Sequence, residues 1–379
     1  MRVITPRGKG ALLLDAHPVG CARAVAEAAA GVPDLRTGDR PPVALIIGSS
    51  AGYGNALAAA GLAGWGISGV GLALERPADA RRTASAGWYR TEALGRLAAE
   101  RGCDVEFVNG DCFAPDTKTA VLDRFASHFG PIDYLIYSVA APRRTDASGA
   151  TYQSAIRPRG AAHTTYAIDF DAEPPALKPV AIEPASPDEV AATVKVMGGE
   201  DWAEWVTAAE ARGLLAPGFK TVALSYVGSA MTAPIYRDGT IGTAKDHLEA
   251  TARSLRGAFT SVNGAVVTQA STAIPGIGLY VSLLHSVLGD GMESPVTQGV
   301  RLWKHLTGVE RAGVDDLGRV RLDDWEFAPG VQDRVSEAWQ RAVADGRLPA
   351  EAGAWFQSEV RRLYGFDVDG VDYSVAVDV

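Results

Sequence analysis

Short apolar runs, separated by longer stretches of small and polar residues, organise the first part of the chain. The runs at 43–47, 69–74, 105–112 and 132–142 are β-rich, and we predict a strand at each. An Ala-rich stretch at 55–63 follows the first run and predicts a helix. Strands that alternate with helices are typical of parallel sheets. The pattern predicts an α/β fold with a doubly wound parallel sheet and helices on both faces.

A glycine loop joins the first predicted strand to the first predicted helix. Its spacing is G-x-x-x-G-x-G, from Gly48 to Gly54. Positions without a side chain let the backbone approach a pyrophosphate, whose charge the helix N-terminus attracts. A plain tight turn is the alternative, but the flanking strand and helix favour a Rossmann-type dinucleotide site. The predicted cofactor contacts in this loop are Gly48, Ser49, Ser50, Ala51, Gly52 and Tyr53.

The second predicted strand ends at Leu74, and Glu75 follows it, 21 residues after Gly54. A carboxylate at this position accepts hydrogen bonds from the adenosine ribose hydroxyls. It also repels a 2′-phosphate, so NADH is the predicted cofactor in preference to NADPH. The adjacent Arg76 could soften that preference.

The third and fourth predicted strands carry further candidate cofactor contacts. Asp111, next to Cys112, stands where a carboxylate can reach an adenine edge, and a helix N-cap is the alternative role for Asp111. Val139 and Ala140 are small enough for the nicotinamide side of a cofactor to lie against the backbone.

Tyr236 and Lys245 are the candidate catalytic pair. A phenol can donate a hydrogen bond or proton to a carbonyl oxygen that gains negative charge, and a nearby ammonium lowers the phenol's pKa and can hold a nicotinamide ribose. Nine positions on one helix correspond to about 900°, which places the two side chains on opposite faces. Tyr236 must therefore precede the helix that carries Lys245 in its first turns. The alternative makes Tyr236 a packing aromatic and Lys245 a solvated charge.

Together these motifs resemble the FabV-type enoyl-acyl-carrier-protein reductases and the related trans-2-enoyl-CoA reductases. The resemblance spans nearly the whole chain and implies an enlarged fold of the short-chain-dehydrogenase type. The motifs that carry it, besides the Tyr-x8-Lys pair, are Ala16-His17-Pro18-Val19-Gly20-Cys21, Gly87-Trp88-Tyr89, Val196-Met197-Gly198-Gly199, Ser225-Tyr226-Val227-Gly228, Val267-Thr268-Gln269-Ala270-Ser271, Asp323-Asp324-Trp325 and Tyr364-Gly365-Phe366.

The resemblance implies a role for each matching residue. Tyr236 is the implied proton donor and Lys245 a cofactor contact, whereas Tyr226 contacts the acyl substrate. Val266, Val267 and Thr268 line the nicotinamide side. The implied reaction is the NADH-dependent reduction of a trans-2-enoyl thioester of CoA or acyl carrier protein, in fatty acid or related acyl-chain biosynthesis.

Two features bear on the substrate. Segments 239–242 and 248–252 look like the CoA-dependent branch, while the connection 253–264 looks shorter than in the family. The short connection keeps open a reductase of another carbonyl or enoyl intermediate on the same scaffold. A non-catalytic NAD-binding sensor has little support, because Tyr236, Lys245 and Glu75 are all present.

Composition narrows the class of protein. A net charge of −9 argues against a nucleic-acid partner. Three cysteines without CxxC spacing fit a reducing cytoplasm, and His17 with Cys21 is too small a set for a predicted metal site. The N-terminus lacks an adequate signal-peptide core, and the apolar stretch 274–288 is too broken to span a membrane, so no stable membrane association is expected. The oligomeric state stays open, and a monomer is compatible with the sequence.

We predict one enlarged Rossmann-type domain over 1–379. It comprises an N-terminal elaboration (1–40), a dinucleotide-binding half (41–142), an inserted hairpin or loop region (143–187) and a catalytic and substrate-binding half (188–379). Residues 169–187 are expected to run over the surface. The stretch 274–288 is either a buried core helix or a wall of the acyl pocket, or both. Met231, Ile235, Ile274 and Leu279 are candidate walls for the acyl tail.

Overall fold

The structure is a computed structural model that describes residues 1–9, 12–38, 40–172, 175–272 and 274–379. Its strands are β1 (Gly8–Lys9), β2 (Leu12–Leu13), β3 (Val43–Ile47), β4 (Ser68–Ala73), β5 (Val105–Asn109), β6 (Ile132–Tyr137), β7 (Arg143–Thr145), β8 (Thr151–Gln153), β9 (His163–Asp169), β10 (Ala176–Ile182), β11 (Leu215–Ser225), β12 (Ala258–Val262), β13 (Gly313–Val314) and β14 (Val320–Arg321).

Its α-helices are α1 (Pro18–Ala30), α2 (Gly52–Ala60), α3 (Ala86–Arg101), α4 (Pro115–Arg124), α5 (Pro187–Met197), α6 (Glu200–Ala211), α7 (Thr240–Ala252), α8 (Gln269–Thr272), α9 (Ile277–Leu288), α10 (Pro295–Thr307), α11 (Val331–Asp345) and α12 (Ala350–Leu363). A π-helical turn extends α2 through Gly61–Trp65, and another extends α4 through Phe125–Phe129.

An eight-stranded sheet forms the centre of the molecule, in the order β13-β14-β12-β11-β6-β3-β4-β5. Neighbouring strands are parallel throughout, except at the antiparallel edge pair β13 and β14. The chain leaves β3 in one direction to build β4 and β5, then returns to place β6 on the other side of β3. This order is that of an enlarged Rossmann-like fold, as predicted. Ligands bind such sheets at the carboxyl ends of the strands, where the order reverses.

Helices cover both faces of the sheet, which gives two hydrophobic cores. Helices α1, α2, α3 and α10 cover one face around the buried side chains of Leu57, Leu94 and Trp303. On the other face, α4, α6 and α7 pack around Trp202 and Trp205. The three tryptophans named here also donate hydrogen bonds: Trp303 Nε1 to the Leu57 carbonyl at 2.8 Å, Trp202 Nε1 to Thr221 Oγ1 at 2.8 Å and Trp205 Nε1 to the Cys112 carbonyl at 3.2 Å. Buried on both sides, the strands carry near-continuous apolar runs, which is why they were readable in the sequence.

A third core lies beside the sheet, among α9, α11, α12 and the β9–β10 hairpin. Within it Phe170 stacks on Phe356 with ring centroids 5.9 Å apart. Residues 176–182, expected to run over the surface, form a strand paired with β9. Only Leu177 among them is buried, and Lys178, Pro179 and Ala181 are exposed. Glu173 and Pro174 lie outside the described residues. Helix α5 begins at Pro187, with a capping box between Ser186 and Glu189.

Candidate active site

A cavity of about 570 Å³ opens at the carboxyl ends of β3, β4, β6 and β11. Its position at the reversal of strand order is where the fold predicts a nucleotide. Most of the residues singled out from the sequence line this one cavity: Gly48, Ser50, Ala51, Gly52, Tyr53, Leu74, Glu75, Asp111, Cys112, Val139, Ala140, Tyr226, Tyr236, Lys245, Val266 and Thr268. Ser138, Phe113 and Arg143, which sequence reasoning did not propose as site residues, also line it, as does Ser271 of the Val267–Ser271 motif.

The glycine loop is shaped by two close backbone contacts. Gly48 has φ +88°, and a Cβ there would lie 2.0 Å from the Ser138 carbonyl oxygen. A Cβ on Gly54 would lie 2.0 Å from the carbonyl oxygen of Gly48. The cap residue of α2, Ala51, makes no side-chain cap, so the first amides of the helix have no side-chain acceptor. A bare cradle at a helix N-terminus fits the pyrophosphate of a dinucleotide.

Two predicted cofactor contacts do not line the cavity. The Ser49 side chain is fully buried beside Gly71, because the strand direction turns it into the sheet rather than toward the opening. Val267 packs its side chain into the third hydrophobic core. Neither side chain therefore contributes to the wall, although both residues adjoin residues that do.

Glu75 is held in place by two hydroxyls and by a helix N-terminus. Its carboxylate accepts from Ser50 Oγ at 2.6 Å and from Ser85 Oγ at 2.5 Å. It also lies at the start of α3, where a Cβ on Gly87 would come within 1.9 Å of Glu75 Oε1. The helix dipole favours a negative charge at that point. Sequence reasoning found Glu75 but missed Ser85 and the need for glycine at 87.

Arg76 is turned away from the cavity. Its guanidinium donates to the carbonyl oxygens of Pro77 at 3.0 Å and Thr83 at 2.9 Å. Because those hydrogen bonds occupy its guanidinium, Arg76 is not positioned to bind a 2′-phosphate. This differs from the expectation that Arg76 softens the preference for NADH.

Asp111 is not a helix N-cap. Helix α4 begins at Pro115 after Ala114, and Asp111 Oδ1 instead accepts the Phe113 amide at 3.0 Å. The strand ends at Asn109, three residues earlier than predicted, so Asp111 and Cys112 stand on the following loop. This turn leaves the carboxylate in the cavity wall.

Tyr236 lies in the turn before α7, and Lys245 lies on α7, as the spacing requires. The Gly242 amide donates to the Tyr236 carbonyl at 2.9 Å, which ties the turn to the helix. Lys245 Nζ donates to the Leu224 carbonyl oxygen at 3.0 Å, at the carboxyl end of β11. Both side chains line the same cavity. Among the described residues, the Tyr236 hydroxyl has no hydrogen-bond partner, so it is free to meet a substrate.

Burial shifts the pKa of both groups. It raises the pKa of the Tyr236 phenol well above its usual value. It lowers the pKa of the Lys245 ammonium to about 8, against a smaller opposing effect of Glu249. The expectation that Lys245 lowers the pKa of Tyr236 is therefore wrong for this structure, because desolvation dominates. Tyr236 is a neutral phenol that can donate, and Lys245 is still largely charged at pH 7.

Tyr226 stands edge-on to Tyr236, with ring centroids 5.1 Å apart and planes at 78°. Its hydroxyl donates to Glu326 Oε1 at 3.1 Å. Glu326 is fully buried. Sequence reasoning missed it, and the one signal that could have found it is its place directly after the Asp323-Asp324-Trp325 motif.

Part of the apolar cavity wall comes from 274–288. The core-helix alternative for that stretch is confirmed, and the acyl-pocket alternative stays a prediction. Residues 277–288 form the buried helix α9, while Ile274, Ile277 and Val281 line the cavity. The side chains of Met231, Ile235 and Leu279, the other candidate walls, pack in the third core and do not line the cavity.

The short connection after α7 lies away from the cavity. Residues 253–257 form a tight turn that leads directly into the amino end of β12. In a parallel sheet that edge is opposite the carboxyl ends where the cavity opens. None of residues 253–264 lines the cavity, although the connection continues through β12 and ends beside Ala265, which does.

The fold and the cavity define an NAD-type reductase scaffold. A family model described as the trans-2-enoyl-CoA reductase catalytic region matches residues 82–307. Models described as the NAD(P)H binding domain of trans-2-enoyl-CoA reductase and as an enoyl reductase FAD binding domain match residues 3–80 and 314–377. The chain belongs to the trans-2-enoyl-CoA reductase family, which confirms the predicted resemblance.

Known proteins resemble it over its full length. An enoyl-[acyl-carrier-protein] reductase [NADH] of Streptomyces avermitilis is 56% identical over 98% of this chain and 97% of that protein. The trans-2-enoyl-CoA reductase of Euglena gracilis is 40% identical over 100% of this chain and 72% of that protein. A crystal structure of a Clostridium trans-2-enoyl-CoA reductase in complex with NADH has a TM-score of 0.90 and 32% identity, covering 99% of this chain and 98% of that chain.

The flavin in the name of the C-terminal model does not fit this structure. Of the residues described between 314 and 377, none lines the cavity. Their large apolar side chains, such as Val335, Phe356 and Val360, are buried in the third core. A segment whose apolar face is filled by α9 offers no concave site for an isoalloxazine ring, so no step is assigned to FAD.

Proposed function

We infer that this protein reduces the carbon–carbon double bond of a trans-2-enoyl thioester with NADH. The observation that carries the inference is one cavity in which the glycine cradle and Glu75 meet Tyr236 and Lys245. A dinucleotide lying along that wall reaches from the adenosine end at Glu75 to the phenol. Membership of the enoyl reductase family supports the same reaction.

The reaction needs stabilisation of a charge that forms on the substrate. NADH, when bound, supplies the hydride that the thioester accepts at Cβ. Negative charge then develops on the thioester oxygen, and we propose that the neutral phenol of Tyr236 donates its hydrogen bond there. Protonation of the resulting enolate at Cα, by Tyr236 or by water, completes the reduction. A donor aimed at a developing oxyanion contributes up to about 4 kcal/mol. The free hydroxyl and the raised pKa of Tyr236 suit it to donate rather than to ionise beforehand.

Lys245 and Glu75 are assigned to the cofactor. The Leu224 carbonyl accepts a hydrogen bond from the Lys245 ammonium, and we propose that this ammonium also donates to the nicotinamide ribose. Glu75 accepts from the adenosine ribose hydroxyls at the other end and repels a 2′-phosphate, which favours NADH over NADPH. Between them the glycine cradle and the amides that open α2 receive the pyrophosphate.

The acyl tail is assigned to the apolar wall formed by Ile274, Ile277 and Val281. We propose a thioester of CoA or of acyl carrier protein as the substrate. The segments that resemble the CoA-dependent branch are mostly buried on α7, with Thr240, Ile241 and Leu248 inside the protein, and they do not face an approaching carrier.

A spectrophotometric NADH-oxidation assay tests the function. The substrates are crotonyl-CoA, a longer trans-2-enoyl-CoA, the matching enoyl thioester of acyl carrier protein, and a simple ketone. Turnover of the enoyl thioesters alone is the expected result. Turnover of the ketone alone supports a different reductase, and tight NADH binding without any turnover supports a sensor.

Localisation to the cytoplasm and the oligomeric state stay predictions. Across the described ranges no helix is long and apolar enough to cross a bilayer. The three cysteines are free thiols, which suits a reducing compartment.

A further inference from the structure

Three donors from distant parts of the chain converge on the buried carboxyl group of Glu326. Oε1 accepts from the hydroxyls of Tyr226 at 3.1 Å and Tyr280 at 2.6 Å. Oε2 accepts from the backbone amide of Ala265 at 2.7 Å. The side chain is fully buried, and Ala265 and Tyr226 both line the cavity. The carboxyl group thus lies directly behind the wall that faces the substrate.

The hydroxyl of Tyr226 has a single proton, and this limits what it can do. While that proton is donated to Glu326, the hydroxyl offers only lone pairs toward the cavity. It then cannot be the second donor to the thioester oxygen. If Glu326 is protonated instead, its own O–H can donate to Tyr226, and the phenolic proton is released toward the cavity.

We propose that Glu326 is a positioning residue that determines, through its protonation, whether Tyr226 presents an acceptor or a donor to the acyl substrate. The inference rests on the proposed function. Glu326 touches neither substrate nor cofactor and acts only through Tyr226, whose edge-on contact with Tyr236 places that hydroxyl beside the principal donor.

The surroundings of Glu326 suit such a change near neutral pH. Burial raises its pKa to about 7, against the hydrogen bonds from Tyr280, Ala265 and Tyr226, which lower it, while the nearby Asp323 raises it further. Tyr53, within the glycine loop, is a further titratable group close enough for the charge of Glu326 to act on it. As pH rises through about 7, Glu326 loses its proton and Tyr226 changes from donor to acceptor.

The pH dependence of kcat/KM for crotonyl-CoA, at saturating NADH, measures this change. For the wild type we expect a fall of about fivefold as pH rises through 7, the effect of losing one hydrogen bond. In Glu326→Gln the amide oxygen must face the Ala265 amide, so its NH₂ group donates to Tyr226 at every pH. That variant should lack the fall and keep the higher value at pH 8.

Tyr280→Phe is the matched control. It removes the shorter hydrogen bond to the same oxygen without touching the cavity wall, because the Tyr280 side chain is buried in the third core. Losing this bond raises the pKa of Glu326, so the fall in kcat/KM should move to higher pH and keep its size. A merely structural role for Glu326 predicts neither the loss of the pH-dependent fall in Glu326→Gln nor its shift to higher pH in Tyr280→Phe.

The Lys245 ammonium titrates in a similar pH range, so its effect on the profile must be separated from that of Glu326. Its titration is assigned to NADH binding, so it should appear in the NADH dissociation constant of every variant. Tyr226→Phe should abolish only the fall assigned to Glu326.

An unchanged pH profile of kcat/KM in folded Glu326→Gln would overturn the proposal. An unshifted pH profile in Tyr280→Phe would also overturn it, and this second measurement decides the matter if Glu326→Gln does not fold. Failure of the wild type to reduce any enoyl thioester would instead refute the proposed function.

Discussion

Replacing Tyr236 with Phe separates chemistry from stability more cleanly than any other change in the site. The ring packs on Tyr226 and is 9% exposed, so its contacts are kept by Phe. The hydroxyl has no partner among the described residues, so removing it leaves no unpaired group behind. We therefore expect the free energy of unfolding to change by less than about 0.5 kcal/mol. The kcat should fall by roughly 10²–10³, the effect of one lost oxyanion donor.

The assay is steady-state or stopped-flow NADH oxidation with an enoyl thioester, together with a fluorescence titration of NADH and a thermal melt. NADH affinity should be nearly unchanged in Tyr236→Phe, because the phenol is assigned to the substrate. The neighbouring change Tyr226→Phe is the control. It removes a hydrogen bond to Glu326 and should cost about 1–2 kcal/mol of stability, with a smaller loss of turnover that appears mainly against the acyl substrate.

The two substitutions have opposite expected effects: Tyr236→Phe should lower turnover strongly and stability little, whereas Tyr226→Phe should lower stability more and turnover less. Near-normal turnover by folded Tyr236→Phe would refute the assignment of the donor, whatever the family membership suggests. A large loss of stability in Tyr236→Phe would refute the structural claim that its hydroxyl is unpartnered.

Three further predictions concern the cofactor. Glu75→Ala should lower kcat/KM with NADH by about 10-fold or more, since a hydrogen bond to a charged group is lost. It should also raise the relative use of NADPH, because the repulsion of the 2′-phosphate is removed and not because Arg76 is recruited. A wild type that prefers NADPH would contradict this assignment. Gly87→Ala should raise the KM for NADH with a smaller change in kcat, because the new Cβ displaces the Glu75 carboxylate; an unchanged KM would show that the carboxylate is not needed where it lies. Lys245→Met should weaken NADH binding as well as turnover, and wild-type affinity for NADH, measured by fluorescence, should fall as pH rises through about 8, where the ammonium loses its charge.

Local patterns in the sequence were sufficient for the sheet and for the cofactor half of the site. Strands buried on both faces leave apolar runs, and a glycine cradle leaves its spacing, so β3, the loop and Glu75 could all be located. The position of Tyr236 before α7 followed from helix geometry alone. In each case the signal lies within about 30 residues of chain, the length of one βαβ unit.

Contacts that join distant elements left no such pattern. The partners of Glu326 come from the end of β11, from α9 and from the residue after Gly264, and only the folded chain brings them together. The pKa of Tyr236 depends on burial by the third core, which the sequence cannot weigh against the charge of Lys245. Which apolar residues of 274–288 face the cavity was likewise fixed by how α9 packs.

The central pair of the sheet, β6 and β11, is joined by the longest connection between strands of that sheet that are consecutive along the chain. Residues 138–214 lie between the two strands, whereas β3, β4 and β5 follow one another through short crossovers. Closing a long loop costs entropy that local pairings avoid, so long-range parallel contacts form late in folding. We expect β3 to β6 to assemble first and β11 with α7 to dock afterwards. Residues on both sides of the β6–β11 pairing line the cavity. During refolding, recovery of NADH oxidation should therefore lag behind recovery of the helical circular dichroism signal.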